Sequence, residues 1–267
     1  MSQLSIAVHG AAGRMGRRVV ALTSADPLLE LVAAIENDQH PLLGQDAGDL
    51  AGVETLDIPL TSKWPTDAEV VVDFSLPEAV DRCLDKCLAH DTALVLATTG
   101  MTDAQVERLR DASETIPIVW APSMSLAVNL SMKLAQQITE KLMDVPGGVD
   151  IEIIERHHRF KADAPSGTAL KFGDLIAEKL GDETKHVHGR EGHTGKRSRD
   201  EIGYHAVRVG DNPGEHTIVF GMLGERIELN VAASNRDCYA SGALAAAKWL
   251  VEKPAGMYDM FDVLEMS

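Results

Sequence analysis

The sequence predicts an α/β protein, with a doubly wound parallel sheet over residues 1–125 and 236–267 and a smaller α+β domain over residues 126–235. Three observations predict it. Short apolar runs alternate with amphipathic stretches through roughly the first 120 residues. Glycines punctuate the first of these junctions. After Trp120 the rhythm changes to one long helical stretch followed by strand-like segments. The length of 267 residues leaves room for two modest domains at roughly 100 to 200 residues each.

Each element follows from its residues. Leu4 to Val8 is a short apolar strand ending at Gly10, and Met15 to Ser24 continues with helical spacing. Leu31 to Ile35 forms a second strand that stops at Glu36. Val70-Val71-Val72 reads as a strand buried on both faces, as parallel sheets require. Pro77 to His90 is a helix and Ala93 to Ala97 a strand; Thr102 to Ala112 is a helix opened by the capping pair Thr102 and Gln105, and Ile116 to Trp120 is another strand. Ala127 to Met143 is a long helix, and a strand from Val149 to Ile154 follows Pro146-Gly147-Gly148. Beyond a polar stretch from His186 to Arg199, the segments Ile202 to Val209, His216 to Phe220 and Arg226 to Val231 are spaced like an antiparallel meander whose open edges invite oligomerisation. The Ala-rich helix from Ala240 to Val251 returns the chain to the first domain.

Composition narrows the partners. With 25 Lys and Arg against 41 Asp and Glu, the net charge is −16, which repels nucleic acid and points to a small-molecule ligand. Three cysteines (Cys83, Cys87 and Cys238) are too few and odd in number for a disulfide framework, so a reducing, cytoplasmic setting is expected. Cys83 and Cys87 share one helical face as buried small hydrophobes. The first residues lack a secretory pattern and no apolar run approaches ~18 residues, so neither export nor a membrane span is expected. His186, His188 and His193 sit in a Gly- and Arg-rich stretch, so they read as surface loop and no metal site is expected.

Two segments carry chemistry. In the first, Gly10, Ala11, Ala12, Gly13, Arg14, Met15 and Gly16 join the first strand to the first helix, where bare amides at a helix N-terminus admit a pyrophosphate. Glycine removes the Cβ that would block it. Glu36 ends the second strand, placed to accept from the hydroxyls of an adenosine ribose, which makes this a Rossmann-type dinucleotide site. Glu36 followed by Asn37 favours NADH over a 2′-phosphorylated cofactor, although Arg14 softens the preference and leaves NADPH usable. Thr98-Thr99-Gly100 and Ala121-Pro122-Ser123-Met124 fall at later strand ends, where the nicotinamide is expected, but taken alone they are ordinary turn residues. The second segment, Glu155 to Ala169, puts Arg156, His157, His158, Arg159 and Lys161 within six positions of an acidic protein, then runs through Pro165, Ser166, Gly167 and Thr168 into a helix start. Cations beside free helix-start amides suit a carboxylate, and imidazole or ammonium groups can exchange a proton near neutrality.

This second segment closely resembles the E-x-H-H-x-x-K-x-D-x-P-S-G-T-A signature of the dihydrodipicolinate reductase family, and the resemblance extends over essentially the whole chain. It includes the G-x-x-G-R-M-G turn at residues 10–16, Thr98-Thr99-Gly100, the run from Arg190 to Gly195, Gly214-Glu215-His216-Thr217 and Gly224-Glu225-Arg226. It implies hydride transfer from NAD(P)H to a cyclic imine dicarboxylate, giving tetrahydrodipicolinate in diaminopimelate and lysine biosynthesis, by a cytoplasmic homotetramer assembled through its smaller domain. By position it implies His157 and Lys161 as proton-transfer groups, and His158, Ser166, Gly167 and Thr168 as substrate contacts. It also implies Gly10 to Met15, Glu36, Ala97 to Thr99 and Ala121 to Met124 as dinucleotide contacts. Phe160, Asn37 and Ser123-Met124 depart from residues common in the family. The cofactor and substrate motifs fall on different domains, so domain closure is expected to bring them together. Two other readings are another two-domain amino-acid dehydrogenase, against which the double histidine argues, and a non-catalytic nucleotide sensor.

Overall fold

The structure, a computed structural model, describes residues 3–181 and 183–266; Met1 and Ser2, which open the N-terminal segment read above, lie outside the described residues. The chain divides into two compact units, residues 1–126 with 236–267 and residues 127–235.

The first unit holds a seven-stranded, all-parallel sheet. Its elements in chain order are β1 (Leu4–His9), α1 (Gly16–Ala25), β2 (Leu29–Ile35), α2 (Ala47–Ala51), β3 (Leu60–Thr61), β4 (Val70–Asp73), α3 (Pro77–His90), β5 (Ala93–Leu96), α4 (Asp103–Ser113) and β6 (Pro117–Trp120). The strand order is β12-β6-β5-β4-β1-β2-β3, where β12 (Gly256–Tyr258) comes from the C-terminal segment and pairs with β6. The side chains of β1 alternate between two cores. Ile6 and Val8 meet Val19 and Val20 of α1 and the alanines of α7 (Asp237–Leu250), while Ala7 joins Val80, Cys83, Leu84 and Cys87 of α3 with Leu109 and Ala112 of α4. Helices thus cover both faces, which is why these strands are apolar throughout. The order reverses at β1, between β2 and β4, and ligands of such sheets bind outside the strand ends at that point. The capping box of Thr102 and Gln105 is formed as its spacing predicts. A short α8 (Met260–Val263) is the last helix among the described residues.

The second unit begins along α5 (Leu126–Leu142) and holds β7 (Asp150–His157), α6 (Gly167–Leu180), β8 (Lys185–His188), β9 (Glu201–Arg208), β10 (Glu215–Met222) and β11 (Glu225–Ala232). Its sheet order is β11-β10-β7-β9-β8. Three expectations are corrected here. The last strands are no meander, because β7 lies between β9 and β10, pairing parallel with the first and antiparallel with the second. The polar stretch from His186 contributes a strand, β8, in which the ring of His188 stacks 5.0 Å from Tyr204. The strand expected to stop at Ile154 runs to His157, with Ile151, Ile153, Glu155 and His157 turned to one buried face.

Candidate active site

In the first unit the glycine turn is built for close backbone approach. Gly10 has φ +77°, and a methyl group on Gly16 would stand 2.1 Å from the Gly10 carbonyl oxygen, so the helix can start only with glycine there. The Gly13 amide donates to Gly10 at 3.0 Å, and Arg17 Nε donates to the Ala12 carbonyl at 2.8 Å. Gly13 and Arg14 are exposed, Ala11 and Ala12 buried and Met15 half-buried. Glu36, at the end of β2, accepts from the Ala12 amide at 3.1 Å through Oε1, which fixes its carboxylate beside the turn. This cradle and its fixed acceptor fit the adenosine and pyrophosphate of a dinucleotide.

Thr98 is buried, its hydroxyl donating to Asp73 at 2.8 Å, and Thr99 is exposed beside the half-buried Ala97. In the remaining segment Pro122 is exposed and Ser123 half-buried, but Ala121 and Met124 are 4% and 1% exposed and their side chains belong to the core. The thioether of Met124 is therefore packing; the backbone at that position is what a ligand could meet.

In the second unit three of the five cations of the expected basic patch, Arg156, His157 and Lys161, are paired with carboxylates. Strand periodicity puts Glu155 and His157 on one buried face of β7, two residues apart. The Glu155 carboxylate, 1% exposed, bonds His157 Nδ1 at 2.6 Å, accepts from Arg208 Nη1 and Nη2 at 2.7 and 2.8 Å, and accepts from the Ser166 amide at 3.0 Å. Burial alone would raise its pKa; the hydrogen bonds from Arg208 and then His157 outweigh that and hold it below the ordinary range. With Nδ1 committed to the carboxylate, Nε2 is the ring atom free for chemistry. It faces Gly214, where a methyl group would stand 2.8 Å away and the backbone has φ +146°.

The start of α6 adjoins this histidine. Ser166 caps the helix, its hydroxyl accepting from the Ala169 amide at 3.1 Å and lying 3.0 Å from His216 Nε2. The amides of Gly167 and Thr168 open the first turn, where a helix has no internal acceptor for them. His216 meets the His157 ring edge-on at 5.2 Å, and its pKa is pushed down to about 4 by burial and then by the neighbouring His157. Lys161 pairs with Asp163 at 2.9 Å and Arg156 with Glu215 at 3.5 Å. His158 carries a buried Nδ1 with no hydrogen-bond partner among the described residues, and Phe160 is 79% exposed. Neither Glu155 nor Arg208 stands out as an anchor from composition or motif spacing. The alternation of β7 carried the signal for Glu155, whereas Arg208 comes from a distant strand paired in register with His157.

A Glu-anchored imidazole, a lysine and a bare helix start suit proton transfer to a bound carboxylate-bearing molecule. Comparison with known proteins agrees over the whole chain: residues 4–124 match the model of dihydrodipicolinate reductase, N-terminus, and residues 127–264 that of dihydrodipicolinate reductase, C-terminus. The chain belongs to the dihydrodipicolinate reductase family. It is an NAD(P)H-dependent oxidoreductase with a Rossmann-type unit and a separate mixed-sheet unit. It is 67% identical to a 4-hydroxy-tetrahydrodipicolinate reductase of Rhodopirellula baltica, over 99% of this chain and 97% of that protein. It is 46% identical to another of the same name from Alkalilimnicola ehrlichii, over 97% of this chain and 98% of that protein. Among solved structures it resembles a dipicolinate-bound dihydrodipicolinate reductase from Paenisporosarcina sp. TG-14, with a TM-score of 0.76 at 25% identity over 97% of this chain and 98% of that one. An amine dehydrogenase from Mycobacterium smegmatis, at 13% identity and a TM-score of 0.61 over 96% of this chain and 94% of that one, shares the fold. Among the described residues no helix is long and apolar enough to cross a membrane.

Proposed function

We propose that the chain converts 4-hydroxy-tetrahydrodipicolinate to tetrahydrodipicolinate, the step its relatives are named for, through a conjugated cyclic imine formed by loss of the hydroxyl as water. The observation that carries the reading is the Glu155-anchored His157 beside the opening turn of α6 and Lys161, in a chain whose other unit holds the glycine cradle and Glu36. NAD(P)H supplies the hydride. The amides of Gly167 and Thr168 and the hydroxyl of Thr168 grip one ring carboxylate, and Lys161 and His158 meet the dianion. The Lys161–Asp163 pair has one largely exposed partner, so exchanging Asp163 for a substrate carboxylate costs little. Charge arriving on the conjugated ring is met by the cationic side chains, and the adjacent carbon takes its proton from His157 Nε2 or Lys161 Nζ. One hydride and one proton are added, and one water is lost.

Glu36, held beside the turn and followed by exposed Asn37, supports preference for the free 2′-hydroxyl of NADH, with NADPH as a usable second cofactor. Three cysteines, too few and odd in number for a disulfide framework, support a cytoplasmic setting. Leu223, 90% exposed, and Ile227 of β11 support assembly of a homotetramer through the smaller unit. The test is steady-state oxidation of NADH and NADPH with freshly generated 4-hydroxy-tetrahydrodipicolinate. Substrate-dependent oxidation with higher kcat/KM for NADH is expected, and no oxidation of either cofactor would refute the function.

A further inference from the structure

His9 and Asp73 end the adjacent strands β1 and β4 in register, where the strand order reverses, and both are buried. The Asp73 carboxylate gathers donors from three chain segments. Its Oδ2 lies 2.6 Å from His9 Nδ1, and its Oδ1 accepts from the Ser75 amide at 2.8 Å and the Thr98 hydroxyl at 2.8 Å. The Ser75 hydroxyl spans both oxygens at 2.9 and 3.1 Å. The glycine turn rests on the same segment: the Phe74 amide donates to the His9 carbonyl at 3.1 Å, and a methyl group on Gly10 would stand 2.8 Å from the Phe74 oxygen and 3.0 Å from the Ser75 nitrogen. One side chain therefore ties the glycine turn, the end of β4 and the Thr98 segment together.

We propose that Asp73, with His9 as its partner, is a positioning residue that holds the dinucleotide turn and the Thr98 segment at their mutual spacing. The proposal rests on the reading that the dinucleotide lies over these strand ends. Burial would raise the Asp73 pKa, but His9, Ser75 and Thr98 outweigh it, so the carboxylate stays ionised as a full-strength acceptor. Cys83 brings a third group, its sulfur within 4.8 Å of the His9 and Asp73 ligand atoms. Burial keeps that thiol protonated, and His9 and Asp73 are bonded directly to each other, so the cluster serves hydrogen bonding.

The test compares Asp73→Ala, Asp73→Asn and Glu36→Ala with the full-length wild-type protein by NADH fluorescence titration and steady-state kinetics. Asp73→Ala is expected to raise the NADH Kd and KM about tenfold while kcat at saturating NADH stays within about twofold. Asp73→Asn should recover most of the affinity. Its oxygen keeps the Ser75 and Thr98 donors, and its amide can donate to His9 once the ring switches tautomer. A general loss of structure would not give this split or this rescue. Should Asp73→Ala fail to fold, Ser75→Ala and Thr98→Val each remove one donor and are expected to weaken NADH about threefold. Normal NADH affinity in Asp73→Ala, or in both single-donor variants, overturns the proposal if Glu36→Ala loses binding. If Glu36→Ala also binds normally, the cofactor site itself is misplaced and the proposal falls with it.

Discussion

At the scale of single residues, the second unit turns on Glu155. Its carboxylate orients His157, pairs with Arg208 and holds the Ser166 amide, so Glu155→Gln, which keeps the volume but not the charge, disturbs all three. That variant should lower kcat at least tenfold and lose stability to urea, because it leaves the Arg208 cation without its counter-ion in a largely buried setting; breaking such pairs costs about 3–5 kcal/mol when burial is complete. Lys161→Ala should lower turnover strongly while NADH affinity survives, and an unchanged rate would remove Lys161 from the mechanism. Gly214→Ala probes the space at His157 Nε2. A methyl group 2.8 Å from that atom should cut kcat/KM for the dicarboxylate at least tenfold and leave NADH binding intact, as measured by parallel kinetics and titration.

At the scale of elements, the first unit was legible because both faces of its sheet are covered. Runs such as Val70-Val71-Val72 must then be apolar at every position, and the helices between them show their period and caps. The second unit was less legible for the opposite reason. Strand β7 carries Glu155, Arg156 and His157 at its end, and hydrophobicity alone cannot extend a strand through such residues; Arg208 and Glu155 neutralise each other only after β9 has paired with β7. Register between β7, β9 and β10 is likewise non-local, so spacing suggested a meander that the chain does not make. The short strand β12 lacks a pattern of its own and is fixed by pairing with β6. At the start of α6 the Ser166 cap was legible, and its partner His216 was not. Ser166→Ala should cost about 1 kcal/mol of stability through the lost cap, read by urea unfolding, and should raise KM for the dicarboxylate by loosening the turn that carries Gly167 and Thr168.

At the scale of the whole molecule, stability should respond to pH in two stages. His216 has a folded pKa of about 4 against an ordinary 6.5, so the unfolded chain takes its proton first; stability is full above pH 6.5 and falls as pH drops toward 4. Glu152, held by Arg190, Arg197 and His205, has its pKa lowered from 4.5 to about 2 against the opposing effect of burial. Glu155 and Asp73 are lowered too, so these carboxylates add a second loss below pH 4.5. Urea midpoints measured across pH should show both stages, and His216→Gln should flatten the upper one.

In the proposed function a doubly charged ring is held in the second unit by Lys161 and the first turn of α6. Calorimetric titration with dipicolinate, a planar ring dianion, tests it most directly. Saturable one-site binding by the wild-type protein, weakened at least tenfold in Lys161→Ala, is the predicted result; equal affinity in the two proteins would contradict it.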